Sequence, residues 1–233
     1  MKSIPNLITC LNLFAGCLAC VMALNGNYIG AFFFIVLASV FDFLDGFAAR
    51  LLNAYSKLGA ELDSLADVIS FGLAPGCIIY AFLLQSTESL SITSNVAFLA
   101  FLLPMFTALR LAKFNIDTRQ TTSFLGLPVP ASGLFWSSFI PSIIPYLSGN
   151  EYLLTIIVVC LLIAFCLLMV SELPMFSLKF KNYSWKGNEW SYTLVILAIL
   201  LVCVFKVAGV SLTILAYILL SVIKTVGSKK QLD

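Results

Sequence analysis

Histidine is absent from this 233-residue chain, charged side chains make up only 10% of it, and no long polar stretch interrupts it. Each absence excludes something. Without histidine there is no imidazole to ligate a metal or act as a base near neutral pH, so such chemistry falls to carboxylates. Without a polar stretch there is no place for a second, water-soluble domain. The net charge is only +2 and there is no basic tail, so nothing points to nucleic acid as a partner. The seven cysteines are odd in number and all lie in apolar runs, which reads as small buried residues and not as a disulfide framework. Cys17 and Cys20 form a single CxxC inside an apolar run, with no second pair to complete a metal site.

What remains is apolar. Hydrophobic residues make up 61% of the chain and the mean hydropathy is +1.05, far above a soluble domain. The chain is read as an integral membrane protein in a lipid bilayer. A membrane helix needs about 20 mostly apolar residues, and eight segments fit that template: 7–24, 28–51, 60–84, 94–113, 127–147, 151–171, 191–206 and 209–225. The seventh is short and the last two nearly touch, so six or seven spans is the alternative. The run at 7–24 is long for a secretory signal and is read as a retained first helix. The expected fold is all-α: one polytopic bundle over residues 1–233, without internal repeats.

With eight spans, Lys2, Arg50, Lys57, Arg110, Lys113, Arg119, Lys179, Lys181, Lys186, Lys224, Lys229 and Lys230 fall on one side and Lys206 alone on the other. The excess of lysine and arginine predicts that side, with both termini, to be cytoplasmic. The loop at 172–190 mixes Lys179, Lys181 and Lys186 with Phe180, Tyr183 and Trp185, as an interfacial anchor does.

Four aspartates break the apolar pattern. Asp42 and Asp45 share one helical stripe with Gly46 and Ala49, and Asp63 and Asp67 share another with Gly59. Both stripes lie within about two turns of the cytoplasmic helix ends, at headgroup level rather than at the midplane where an ion pathway would place them. Facing carboxylates repel unless protonated or neutralised by cations, and an oxygen-only set favours a hard divalent ion, Mg²⁺ or Mn²⁺. Four of them suffice to bridge two such ions, which can clamp phosphate oxygens in a displacement. Arg50 adds a planar fork for a phosphate oxygen. The plain alternative is a set of compensated ion pairs between helices; a cation transporter is a second.

The string Asp42, Asp45-Gly46, Ala49-Arg50, Gly59, Asp63, Asp67 resembles, at every position and spacing, the signature of the CDP-alcohol phosphotransferase family. The resemblance implies a reaction in which an alcohol displaces CMP from a CDP-linked lipid at a two-metal site. It implies that Asp42, Asp45, Asp63 and Asp67 bind metal and that Asp67 also takes the proton of the attacking hydroxyl. Gly46, Ala49 and Arg50 would line the nucleotide and diphosphate site, with Gly59 giving room on the facing helix. Asn6 and Thr9, at the start of the first span, would touch the nucleotide or serve as interfacial caps.

Residues 64–75 (SLADVISFGLAP), 108–115 (ALRLAKFN) and 124–132 (FLGLPVPAS) are similar to segments of the membrane-embedded phosphatidylserine synthase branch, as are 4–16 and 169–179. Lys113 stands where arginine is common in that branch. The implied substrates are CDP-diacylglycerol and L-serine; another acceptor, glycerol 3-phosphate or inositol, is the alternative within the family. Arg110 and Lys113 are candidates for the serine carboxylate, Arg110 the better because it offers two donors in one plane, and Asn115 is a candidate to orient a polar group. Either cation is otherwise an ordinary interfacial anchor. Gly126 to Pro130 cannot form a regular helix and is expected to shape the entry to the fifth span. Gly72 and Gly76 form a GxxxG expected to pack helices, with a homodimer contact as one use. An active site facing the cytoplasm from the cell's inner membrane is the expected location.

Overall fold

The computed structural model describes residues 3–90, 94–117, 124–176 and 188–229. Lys2, Arg119, Lys179, Lys181, Lys186 and Lys230, with Phe180, Tyr183 and Trp185 of the expected anchor, lie outside that range. The regular elements among the described residues are helices, with one short strand pair. α1 (Ser3–Leu24) and α2 (Tyr28–Leu51) are followed by α3 (Lys57–Asp67), a π-helical turn (Val68–Leu73) and α4 (Ala74–Leu90). A 3₁₀ segment (Ser94–Phe101) leads into α5 (Leu102–Ile116). Then come α6 (Val129–Ile143), α7 (Glu151–Val170), α8 (Glu189–Phe205) and α9 (Val207–Lys229). Counting α3, the π turn and α4 as one rod, eight rods fall on the eight apolar segments, with ends shifted by a few residues.

Six stretches are long and apolar enough to cross a membrane: Ser3–Leu24, Tyr28–Leu51, Lys57–Thr87, Asn95–Ile116, Glu151–Val170 and Val207–Thr225. The rods containing α6 and α8 are shorter or less apolar. α8 and α9 meet in a turn at Lys206, which takes a left-handed φ of 53°.

In a bilayer, lipid tails compete equally for apolar surface, so helices associate through close packing of small residues. α1 buries Ala15, Gly16, Ala19 and Ala23 in a single stripe, and α2 answers with Ala31, Ile35 and Ala38. Large side chains point the other way: Leu7, Phe14, Phe33 and Phe43 are exposed, as suits a lipid-facing surface. The same logic corrects the expectation for cysteine. Only Cys77 and Cys166 are buried, while Cys10, Cys17, Cys160 and Cys203 face outward, because in a membrane protein an apolar outside suits a thiol as well as the core does.

The π turn is the hub of the bundle. Pro75 has no N–H, and its ring would clash with the carbonyl four residues back in an α-helix; the chain instead bonds Ala74 N–H to the Ile69 carbonyl, five residues back. Three helices close on this turn where side chains are missing. A Cβ on Gly16 of α1 would lie 2.8 Å from Ser70 Cα, one on Gly133 of α6 would lie 2.9 Å from Phe71 Cβ, and one on Gly72 would lie 3.0 Å from Thr107 Cβ of α5. Phe71 then joins a buried aromatic cluster with Phe135, Trp136 and Phe165, in which the Phe135 and Phe165 centroids are 4.2 Å apart.

Both glycines of the GxxxG face α5 within the chain, Gly76 against Pro104 and Gly72 against Thr107. A homodimer would therefore use a surface other than this motif. The run after Phe124 forms a two-residue antiparallel pair, Phe124–Leu125 with Pro174–Met175, and α6 begins at Val129 behind Pro128. Gly126 donates its N–H to the Leu173 carbonyl at 2.9 Å, and Leu127 donates to Leu168 at 3.1 Å, so the irregular run is tied to the end of α7.

Candidate active site

The four aspartates sit on two helices joined by a five-residue connection, Leu52 to Ser56. Asn53 turns the corner with a left-handed φ of 47°, and Ser56 caps α3 by accepting the Gly59 N–H on its Oγ at 3.0 Å. α3 thus starts at Lys57, earlier than the apolar pattern suggested, and Asp63 lies nearly two turns inside it. The hairpin brings the acidic stripes of α2 and α3 together, while α1 covers them from the side.

One carboxylate oxygen each from Asp42, Asp63 and Asp67 lies within 4.8 Å of the others. Asp45 stands apart from this trio. Its Oδ2 accepts a hydrogen bond from Thr9 Oγ1 at 2.6 Å, so Thr9 of α1 orients it. Asp67 is buried, with its Oδ1 3.4 Å from Asn12 Nδ2. Asp63 Oδ1 is buried with no hydrogen-bond partner among the described residues. Arg50 does not compensate these charges: it is exposed and its Nε donates to the Gly46 carbonyl of its own helix at 3.0 Å.

Three close carboxylate oxygens, with a buried unpartnered oxygen on Asp63 and the one arginine the ion-pair reading relied on turned to its own helix, are a donor set that could hold a hard divalent cation. The residues present fit such an ion.

Beside the acids opens a cleft of ≈ 190 Å³, walled by Asp45 and Asp63 together with Asn6, Thr9, Gly46, Ala49 and Gly59. A Cβ on Gly46 would meet nothing within 4 Å, so this glycine leaves space in the cleft and is not required by packing. Gly59 differs: a Cβ there would lie 3.0 Å from Asn6 Oδ1, so its absence lets α1 approach α3. Tyr55 and Ser56 also line the cleft, and no feature of the sequence pattern singled them out.

Arg110 stands on α5 and is not among the residues lining the cleft. It is buried, interacts electrostatically with Tyr217 and Asp67, and its Nε has no hydrogen-bond partner among the described residues. Lys113, one turn on, donates its ammonium to the Val170 carbonyl at 3.3 Å, neutralising the C-terminus of α7. Asn115 Nδ2 donates to Ser64 Oγ at 3.0 Å, tying α5 to α3 one residue after Asp63. Asn12 was missed by pattern reading; its signal was a polar residue inside an apolar run, three positions beyond Thr9.

A polytopic helical membrane protein with an oxygen-rich acidic centre near the ends of its helices, open to a cleft, is built for chemistry on a phosphorylated headgroup. The CDP-alcohol phosphatidyltransferase family profile matches residues 2–163, which contain every site residue named above except Tyr217. The chain belongs to that family and is a membrane enzyme of phospholipid biosynthesis.

Curated relatives agree. The chain is 33% identical over 200 residues to the CDP-diacylglycerol--serine O-phosphatidyltransferase of Helicobacter pylori, covering 84% of this chain and 78% of that one. It is 39% identical over 134 residues to the Bacillus subtilis protein of the same name, covering 58% and 73%. It is 34% identical over 173 residues to the archaetidylserine synthase of Methanothermobacter thermautotrophicus, covering 73% and 68%.

Proposed function

We propose that this enzyme transfers the phosphatidyl group of CDP-diacylglycerol to the hydroxyl of L-serine, giving phosphatidylserine and CMP. The observation that carries the acceptor is Arg110, a buried guanidinium that interacts electrostatically with Asp67 and whose Nε has no hydrogen-bond partner among the described residues. A buried unpaired donor calls for an acceptor, and a carboxylate matches the guanidinium fork. The names of the relatives above support the same acceptor.

Asp42, Asp63 and Asp67, with Asp45 steadied by Thr9, would hold two divalent cations, Mg²⁺ or Mn²⁺. Such ions would supply positive charge to neutralise the diphosphate and polarise the phosphorus. Asp67 takes the proton from the serine hydroxyl. The serine oxygen bonds to the phosphorus that carries diacylglycerol, the bond from that phosphorus to the bridging oxygen breaks, and the electron pair leaves with CMP. Asn6, Thr9, Gly46, Ala49 and Gly59 form the wall for nucleotide and diphosphate, and Arg50 at the rim takes a phosphate oxygen. Arg110 holds the serine carboxylate. Lys113 and Asn115 lie further out, their present bonds fixing α7 and α3 around it.

In this reading residues 1–233 form one domain of eight spans, with both termini and the active site on the cytoplasmic side of the cell membrane. Its support is the clustering of Arg50, Lys57, Arg110 and Lys113 near the acidic end of the rods, with Lys206 in the α8–α9 turn. The test is to incubate purified protein with CDP-diacylglycerol, Mg²⁺ or Mn²⁺, and a panel of alcohols. CMP release with serine alone is the expected result; release with glycerol 3-phosphate or inositol instead replaces the acceptor.

A further inference from the structure

Serine carries three polar groups, and Asp67 and Arg110 account for two of them. The ammonium is left over, and a buried group on α1 is left over as well. Asn12 is fully buried. Its Nδ2 faces Asp67 Oδ1 at 3.4 Å, and its backbone carbonyl accepts Ser70 Oγ at 3.1 Å, locking α1 to the π turn that follows Asp67. The amide oxygen, Oδ1, has no partner among the described residues. Turning the amide over would set Oδ1 against a carboxylate oxygen, so the orientation with nitrogen toward Asp67 is the one the site enforces.

Two buried atoms of opposite kind therefore lack a hydrogen-bond partner among the described residues and belong to groups that interact with Asp67: an acceptor on α1, Asn12 Oδ1, and a donor on α5, Arg110 Nε. Buried polar groups are ordinarily paired, so each is poised for a ligand. A ligand carrying both a cation and an anion satisfies the two at once. An alcohol without an ammonium group leaves Asn12 Oδ1 unpaired.

We propose that Asn12 is a specificity-determining residue that receives the ammonium of the acceptor amino acid. It completes a three-point attachment in which Asp67 takes the hydroxyl, Arg110 the carboxylate and Asn12 the ammonium. Three unlike contacts around one tetrahedral carbon are satisfied by one enantiomer only. The inference rests on the serine reading above and adds to it the basis for choosing an amino acid, and one hand of it.

The test measures CMP release by the purified full chain with L-serine, D-serine and 3-hydroxypropanoate, which keeps the hydroxyl and carboxylate but lacks the ammonium. The quantity read is the ratio of kcat/KM for L-serine to that for each analogue. Asn12→Ala also removes the neighbour of Asp67, so kcat falls for every acceptor; a purely structural role leaves the ratios where they were. The expected result is that Asn12→Ala lowers both ratios by about tenfold or more, as loss of one polar contact in a discriminating site does. Asn12→Ser, which keeps a short acceptor, restores part of each ratio. Mn²⁺ binding followed by electron paramagnetic resonance certifies that each variant keeps its acidic centre, and if Asn12→Ala fails that check, Asn12→Ser alone carries the comparison. Ratios unchanged from wild type overturn the role of Asn12. Absence of CMP release with L-serine in the wild-type protein overturns the serine reading instead, so the two failures are distinct.

Discussion

The four carboxylates look onto two unlike surroundings. On one side Asp45 and Asp63 wall an open cleft lined with glycine and alanine, where side chains are kept short to make room. By contrast, Asp67 is buried beside Asn12 and ahead of the π turn, and the unpartnered Asn12 Oδ1 and Arg110 Nε are enclosed. Room without specific contacts suits a large, flexible donor held mainly by its phosphates. Enclosure with unpaired groups suits a small acceptor recognised atom by atom. In the proposed reading the donor takes the cleft and the acceptor the buried groups around Asp67, with one set of carboxylates serving both.

That division is open to direct attack, and the largest effect should come from the shared carboxylates. Asp67→Asn keeps the shape but removes the base, and CMP release should fall by about 10³-fold, within the range for a lost general base. CDP-diacylglycerol binding, measured on the same variant, should stay within about threefold if the donor sits on the open side. Next, Arg110→Ala should lower kcat/KM for serine by about 10²-fold while leaving the KM for CDP-diacylglycerol in place, as expected on losing a buried charge partner. Weakened donor binding alone would assign Arg110 to the donor instead.

Thr9→Val removes the 2.6 Å bond to Asp45. Partners that orient a ligating carboxylate typically contribute about 10- to 100-fold in metal affinity, so calorimetric titration with Mn²⁺ should show a loss near the lower figure. Gly46→Leu fills the cleft without touching the core, because a Cβ at Gly46 meets nothing. Its expected signature is about a tenfold rise in KM for the donor with melting temperature retained, given the few kcal/mol at most that one filled contact surface contributes. The smallest effect is assigned to Lys113→Met. With its ammonium on the Val170 carbonyl, the loss should be about 0.3–1 kcal/mol of stability, seen as a small drop in melting temperature with serine KM nearly unchanged. A large rise in serine KM would return Lys113 to the acceptor pocket.

Much of the site was legible because its chemistry depends on spacing along single helices. Asp42 with Asp45, and Asp63 with Asp67, must share faces once their segments are helical, and the glycines beside them follow the same periodicity. Arg110 was a candidate in sequence for its planar fork and for the segment it stands in, with an interfacial anchor as the alternative. Asn12 was not, since a lone asparagine in an apolar helix is equally at home as a packing contact until its neighbours are known. Lys113 and Arg110 look alike in sequence, three residues apart; only the position of α7 separates a helix-end partner from a buried guanidinium whose Nε has no hydrogen-bond partner among the described residues. The GxxxG at Gly72 and Gly76 likewise says that something packs closely there, and not that it is α5 of the same chain.

By itself the sequence determined a helical membrane protein with an acidic centre near the ends of its helices, because hydropathy, lysine and arginine placement and the 3.6-residue period are properties of the chain alone. The tertiary structure decided which face of that centre is open and which is closed. That outcome depends on how Pro75 forces a π turn after Asp67, and on which helices the glycines at positions 16, 72 and 133 admit to it. Such contacts join residues far apart in the chain, and no local pattern encodes them.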